Sequence, residues 1–333
     1  MTRTYDARGN VYAVATPDEL RSMGIAVPET ARAAMSDRKN WAASAISHVC
    51  RRVDAEGGSK AHSTDGLLVG PFQHAAPFDL LIINTDGTLA ERSGNGLTIF
   101  AQALTDLGHV DGLEHFMLNV HHDKGDALSP VQTSLQPANV DGEAGFWLDL
   151  GTPGFGQQAV GAKGSGVSCG TLDGRQVNGV QRLSDIDAQW GHSVFVRIGN
   201  PHCVTLVSIE QQLPSFAQLH APDLNQALTA IAFSNEDVGA GDPCPAGINL
   251  QWAWVRAPDE IVARVFERGE GPTASSGTSA SAVACAAWKT GLVKAGLVKI
   301  IMPGGTAPVQ LNGDAQTLHT VALFGVAKRK SAS

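Results

Sequence analysis

The sequence is poor in the residues that staple chains or bind polyanions. Its five cysteines, Cys50, Cys169, Cys203, Cys244 and Cys285, are scattered without CxxC spacing, and an odd count does not make a disulfide framework. The adjacent pairs His121-His122 and His202-Cys203 point to opposite sides of a strand and do not share a metal, so none is expected. Lys and Arg number 24 against 32 Asp and Glu, for a net charge of -8. The one basic cluster, Lys328-Arg329-Lys330, reads as a solvated end, which argues against a nucleic-acid partner. No apolar run approaches membrane-spanning length and residues 1–10 are polar, so no membrane partner and a cytoplasmic location are expected. Gly154 to Ala159 is a formal GxGxxA match, but it opens a Gly-rich loop rather than a helix, which removes the dinucleotide reading.

What is present is one arrangement written twice. Ile261, Ala263 and Val265 alternate as in a strand. Glu267-Arg268 and a Gly/Ser-rich turn then lead to Ser276-Gly277-Thr278-Ser279 and a small-residue helix closed by Gly291. Earlier, the apolar strand Phe78 to Ile83 is followed by Asn84-Thr85-Asp86-Gly87-Thr88, Glu91-Arg92 and Ser93-Gly94-Asn95-Gly96. Leu97, Phe100, Leu104 and Leu107 then recur at helix spacing up to Gly108. A helix N-terminus offers free N–H groups and partial positive charge, so each turn suits a carboxylate or phosphate. Two such turns predict a duplicated fold whose halves face one ligand.

At 333 residues the chain is long enough for two domains. Tyr12 to Thr16 reads as a first strand, and 28–50 as a helix beginning near Glu29 or Thr30. The polar loop 54–65 leads to a strand at 67–69. Short segments at 116–120, 131–135, 146–150 and 176–180, separated by Gly, Pro and Asp, predict antiparallel β structure. Asp149 to Gly156 reads as the connection between domains. Two strand pieces within 193–207 flank Gly199-Asn200-Pro201-His202, a turn that places an amide and an imidazole at one bend. Ile248-Asn249 precedes a strand at 250–255, a hairpin occupies 299–311, and a last strand 320–326.

In this order and spacing, Gly9-Asn10, Asn84 to Thr88, Ser93 to Gly96, Gly199 to Val204, Ile248-Asn249, Glu267-Arg268-Gly269 and Ser276-Gly277-Thr278 resemble the diaminopimelate epimerase family over most of the chain. The resemblance implies an α+β fold of two similar domains, each an antiparallel barrel-like sheet around a central helix, with the ligand cleft between them. The domains are expected at 1–150, joined by the C-terminal strand 315–330, and at 151–314. It implies no cofactor, a small amino-acid or carboxylic-acid ligand, a place in amino-acid and lysine biosynthesis, and a homodimer as the assembly to test. Family members invert an amino-acid α-carbon with two cysteines. Carried over, Gly277 and Thr278 hold the α-carboxylate, and His202 positions the α-amino group. Asn10, Asn84, Gly94, Asn95, Asn200, Asn249, Glu267 and Arg268 recognise the rest of the substrate.

The departures fall on the chemistry. Ser93 and Ser276 stand where the family has its cysteines, and a serine hydroxyl stays protonated unless a neighbouring base takes its proton. Gly66, Pro272 and Ser279 stand where the family has a glutamine, a glutamate and a glycine, which implies altered substrate scope. The first expectation is an amino-acid epimerase or racemase working between Ser93 and Ser276. The second is an isomerase of an unsaturated or keto acid with Glu267 or His202 as base, as the resemblance to carboxylate-using phenazine-pathway isomerases implies; Glu91 and Asp86 lie in the same motifs. The third is a silent binding protein that keeps the carboxylate turn. The Glu-Arg pairs are also open to a plain reading as paired charges.

Overall fold

The computed structural model describes residues 3–50, 62–123, 128–163, 166–172 and 174–330. The chain divides into two compact units, Met1–Asp149 with Phe324–Ser333, and Leu150–Leu323. The predicted polar loop at 54–65 lies largely outside the described residues. Among the described residues no helix is long and apolar enough to cross a membrane.

Unit 1 runs β1 (Arg3–Ala7), β2 (Asn10–Ala15), α1 (Pro17–Ser22), α2 (Ala31–Ser36), α3 (Arg38–Val49), β3 (Gly66–Val69), β4 (Phe78–Asn84), α4 (Gly94–Asp106), β5 (Phe116–Val120), β6 (Val131–Val140) and β7 (Glu143–Asp149). Its β2, β3 and β4 are buried along nearly their whole length because both sheet faces are covered. Ala13, Leu67, Leu81 and Ile83 pack with Trp41, Ala45 and Ile46 of α3, and α4 packs against β1, β2 and β7. The helix expected over 28–50 is two helices: Thr30 caps the first, accepting from Ala33 N at 3.3 Å, and Asp37 separates them.

Unit 2 runs β8 (Gly154–Phe155), α5 (Gln157–Val160), β9 (Val167–Leu172), β10 (Arg175–Val180), α6 (Gln181–Ile186), β11 (Ser193–Ile198), β12 (Asn200–Leu206), α7 (Phe216–His220), α8 (Pro222–Ala232), β13 (Asn249–Ala257), β14 (Glu260–Glu267), β15 (Gly271–Thr273), α9 (Gly277–Lys289), β16 (Gly296–Met302), β17 (Gly305–Gly313) and β18 (Leu318–Gly325), whose last two residues belong to unit 1; β19 (Lys328–Arg329) closes the chain against β1. The GxGxxA match does enter a helix, but α5 has only four residues. Every residue of α9 from Gly277 to Trp288 is buried, and most of them are Gly, Ala, Ser or Cys, small enough to pack closely against the strands around it.

The same succession of pairings occurs in both units. In unit 1, β1–β2, β3–β4, β5–β6 and β6–β7 are antiparallel, with β2–β3 and β4–β5 parallel. In unit 2, β11–β12, β13–β14, β16–β17 and β17–β18 are antiparallel, with β12–β13 and β14–β16 parallel. Each sheet is therefore mainly antiparallel with two parallel neighbours, and each helix, α4 and α9, follows the fourth strand of its series. The fold is α+β with two alike units.

Close packing in unit 1 gives a direct test. A Cβ at Gly325 would fall on the Thr98 side chain of α4, and one at Gly145 on the Gly325 carbonyl. Gly325→Ala is expected to destabilise the protein by about 1–3 kcal/mol, the usual cost of overpacking, read as a lower midpoint in urea with an unchanged slope.

Candidate active site

The two helix N-termini are built alike. Ser93 and Ser276 are both extended N-cap residues, with φ of -135° and -146°. Their hydroxyl oxygens accept from the N3 backbone N–H, Gly96 N to Ser93 Oγ at 3.0 Å and Ser279 N to Ser276 Oγ at 3.4 Å. The helical ladders begin with Leu97 N–H to the Ser93 carbonyl (2.8 Å) and Ala280 N–H to the Ser276 carbonyl (2.9 Å). The N–H groups of Gly94 and Asn95, and of Gly277 and Thr278, precede those ladders and suit an anion.

The strand registers align the repeats residue by residue. Tyr12 neighbours Gly66 as His202 neighbours Asn249. Asn84 and Glu267 each end their strand nine residues before the capping serine. Glu267 thus corresponds to Asn84, and Glu91-Arg92, which directly precedes Ser93, does not correspond to Glu267-Arg268, although the sequence pattern pairs them.

That correspondence separates the two turns chemically. Ser276 Oγ donates to Glu267 Oε1 at 2.6 Å, and Thr273 Oγ1 donates to Glu267 Oε2 at 3.1 Å. Glu267 keeps some surface exposure, yet the protein packed around its carboxyl raises its pKa to about 7, with the nearby Glu270 charge adding to the rise and the two hydroxyls opposing it. It makes no ion pair among the described residues, so the paired-charge reading does not apply to it. In unit 1 the equivalent Asn84 has no titratable group: Nδ2 donates to Thr88 Oγ1 at 2.9 Å, and its carbonyl accepts from Gly87 N at 2.9 Å. Arg92 is turned to Thr133 Oγ1 and the Asp149 carbonyl, both at 2.8 Å, and burial lowers its pKa to about 10.

Around Ser276 the remaining predicted residues converge within unit 2. Asn249 Oδ1 accepts from Arg268 N at 2.8 Å, and the Arg268 guanidinium donates to the Ala246 carbonyl at 3.2 Å and to Asn200 Oδ1 at 3.5 Å. Asn200 and His202 are not at a bend: the turn is Gly199 alone, with φ of 68°, and both residues lie in β12. Two positions apart on a strand, they share a face. His202 is fully buried, and burial first, then the Arg268 charge, lowers its pKa to about 3. A ring held neutral so far below the working range is a poor base, which corrects the expectation of His202 in that role. In unit 1, Asn10 Nδ2 donates to Asp65 Oδ2 at 3.3 Å. Gly66 has no room for the family's glutamine, since a Cβ there would stand 2.7 Å from both the Ile83 carbonyl and the Tyr12 ring.

The diaminopimelate epimerase family model matches residues 194–329. The chain is 29% identical over 312 residues to diaminopimelate epimerase 2 of a Nostoc species, across 93% of this chain and 88% of that one. The chain is similar to diaminopimelate epimerases over most of its length. Solved structures share its fold over nearly its whole length. One is a phenazine biosynthesis protein of the PhzF family from Bacillus anthracis (TM-score 0.57, 13% identity, 99% of this chain and 96% of that one). Another is a hydroxyproline epimerase from Agrobacterium vitis with bound trans-4-hydroxy-L-proline (TM-score 0.57, 15% identity, 99% and 90%). The chain is an isomerase of the epimerase and racemase class.

Two residues of this candidate site escape a sequence reading. Thr273 follows Pro272 in a loop-like run and gains its role only when β15 turns back along β14. Gln251 sits inside the apolar strand 250–255, and its signal is that it repeats the polar face of Asn249 two positions on. Among the described residues no cluster of three or more His, Cys, Asp or Glu could hold a metal ion.

The raised carboxyl makes a prediction about stability. Because the folded-state pKa of Glu267 lies near 7 and its ordinary value is 4.5, the folded protein binds the extra proton between them, and stability falls as pH rises through that window. Glu267→Gln, which keeps the neutral shape, is expected to raise the melting temperature at pH 8 and to flatten its dependence between pH 5 and pH 8.

Proposed function

We propose that this isomerase moves a proton at the carbon next to a substrate carboxylate without a cofactor, with Glu267 as the base acting through Ser276. The observation that carries the reading is the 2.6 Å hydrogen bond from Ser276 Oγ to a carboxylate whose pKa is about 7. As Ser276 Oγ takes the proton from carbon, its own proton passes to Glu267 Oε1, so no free alkoxide forms. The N–H groups of Gly277 and Thr278 hold the substrate carboxylate, where charge develops as the carbon is deprotonated. Asn200, Asn249 and Arg268 recognise polar groups of the substrate, and Asn10, Asn84, Gly94 and Asn95 serve the same purpose in unit 1. An amino-acid substrate is the first choice, since the relative most alike in sequence among those named above is a diaminopimelate epimerase.

A second reading is favoured by one observation. Among the described residues the Ser93 hydroxyl oxygen meets only the Gly96 N–H, and Asn84 stands where unit 2 has its carboxylate. Inversion calls on Ser93 to give up a proton that no carboxylate in the equivalent position restores. Returning the proton on the side it left, as in a 1,3-shift along an unsaturated or keto acid, needs Glu267 alone.

Proton NMR in D2O with diaminopimelate, other amino acids and unsaturated acids tests both. Exchange at the α-position is expected, rising with pH through a midpoint near 7, with Glu267→Gln and Ser276→Ala each losing about 10²-fold or more, the typical contribution of a general base. Ser93→Ala then separates the readings: loss of inversion supports the epimerase, and full activity supports the one-base shift. Binding with no exchange on any compound would mark a silent binder and overturn the proposal.

A further inference from the structure

The proton-transfer reading leaves one buried group unexplained. His202, Gln251 and Ser279 are all fully buried and form a chain of hydrogen bonds: Gln251 Nε2 meets His202 Nδ1 at 3.1 Å and donates to Ser279 Oγ at 3.1 Å. The orientation of an amide must be chosen from its partners. With Nε2 toward both neighbours, the two N–H donors of Gln251 are satisfied and only its Oε1 is left without a partner. The reverse orientation would strand both N–H donors in a dry interior, the costlier outcome.

The chosen orientation fixes the ring. His202 Nδ1 accepts, so in the neutral imidazole the proton sits on Nε2. Nε2 meets no atom in full hydrogen-bonding geometry among the described residues, and the Ile198 backbone carbonyl is the acceptor that acts on the ring as a hydrogen-bond partner. The guanidinium groups of Arg268 and Arg197 also act on this ring and favour its neutral form. Ser279 ties the same amide to the third residue of α9, the turn that the proposed function uses for a carboxylate.

We propose that Gln251, held by Ser279, is a positioning residue that fixes the buried His202 ring in its Nε2–H form, turned toward the Ile198 carbonyl. This rests on the proposed site around Ser276, and it gives His202 a role other than proton transfer. The chain also explains a serine at position 279: a glycine there could not accept from Gln251, and the amide would be free to turn.

The test is the nitrogen-15 spectrum of the imidazole in the intact, ligand-free protein. In the wild type a single Nε2–H tautomer is expected, unchanged between about pH 5 and pH 8, where an ordinary imidazole titrates. Gln251→Met removes the donor to Nδ1 and is expected to abolish the single-tautomer state, with an Nδ1–H signal appearing. If that variant does not fold, Ser279→Gly is expected to weaken the same preference. A wild-type ring protonated at Nδ1, a ring that titrates within the window, or variants that keep the wild-type tautomer would overturn the assignment. The exchange assay is independent: a wild-type enzyme without exchange removes the proton-transfer reading while the tautomer result stands.

Discussion

The hydrogen bond from Ser276 to Glu267 is the contact on which the proposed chemistry depends. A serine capping a helix ordinarily uses its oxygen as an acceptor, and Ser276 does so toward Ser279 N–H. Its proton remains available, and the fold spends it on a carboxylate 2.6 Å away. This needs β14 to end at Glu267, β15 to return beside it, and α9 to start where that return ends. The burial that supplies the helix with its small-residue sheath also raises the carboxyl toward neutrality. One packing decision thus sets both the donor geometry and the basicity.

The duplication makes the asymmetry meaningful. Both units cap a thirteen-residue helix with serine and arrive there through the same run of parallel and antiparallel neighbours. Against that shared frame, an amide in one unit and a carboxylate in the other is a chemical difference rather than a structural one. Tyr12 against His202 is a second such difference, and the Tyr12 ring over Gly66 leaves no room for a side chain there. A family that uses two thiols can be symmetric because each thiol ionises on its own at a helix N-terminus. A serine does not ionise so readily, and in the proposed chemistry Ser276, the one with a carboxylate partner, takes the active part.

Much of this was legible in the residues. The strands at 78–83, 116–120 and 250–255 and both Ser-Gly helices follow from apolar spacing and capping, and Gly108 and Gly291 mark helix ends as expected. What periodicity could not supply was pairing. The motif Glu-Arg occurs twice, and only strand register shows that Glu267 matches Asn84 rather than Glu91. Gly199-Asn200-Pro201-His202 has the composition of a four-residue turn, but a single residue at positive φ suffices to reverse the chain at Gly199, and the polar residues after it become strand. Burial was equally invisible: nothing in the string distinguishes a histidine that titrates from one sealed among β12, β13 and α9.

The most direct test of the account is the ionisation of Glu267 itself, followed by carbon-13 NMR of labelled glutamate carboxyls, with Glu267→Gln to assign the signal. A midpoint near 7 is expected in the wild type. It should move higher in Ser276→Ala, because the serine's hydrogen bond favours the carboxylate form. A midpoint near the ordinary value of 4.5, or one indifferent to the loss of the Ser276 hydroxyl, would contradict the claim that these two residues form the proton-handling pair.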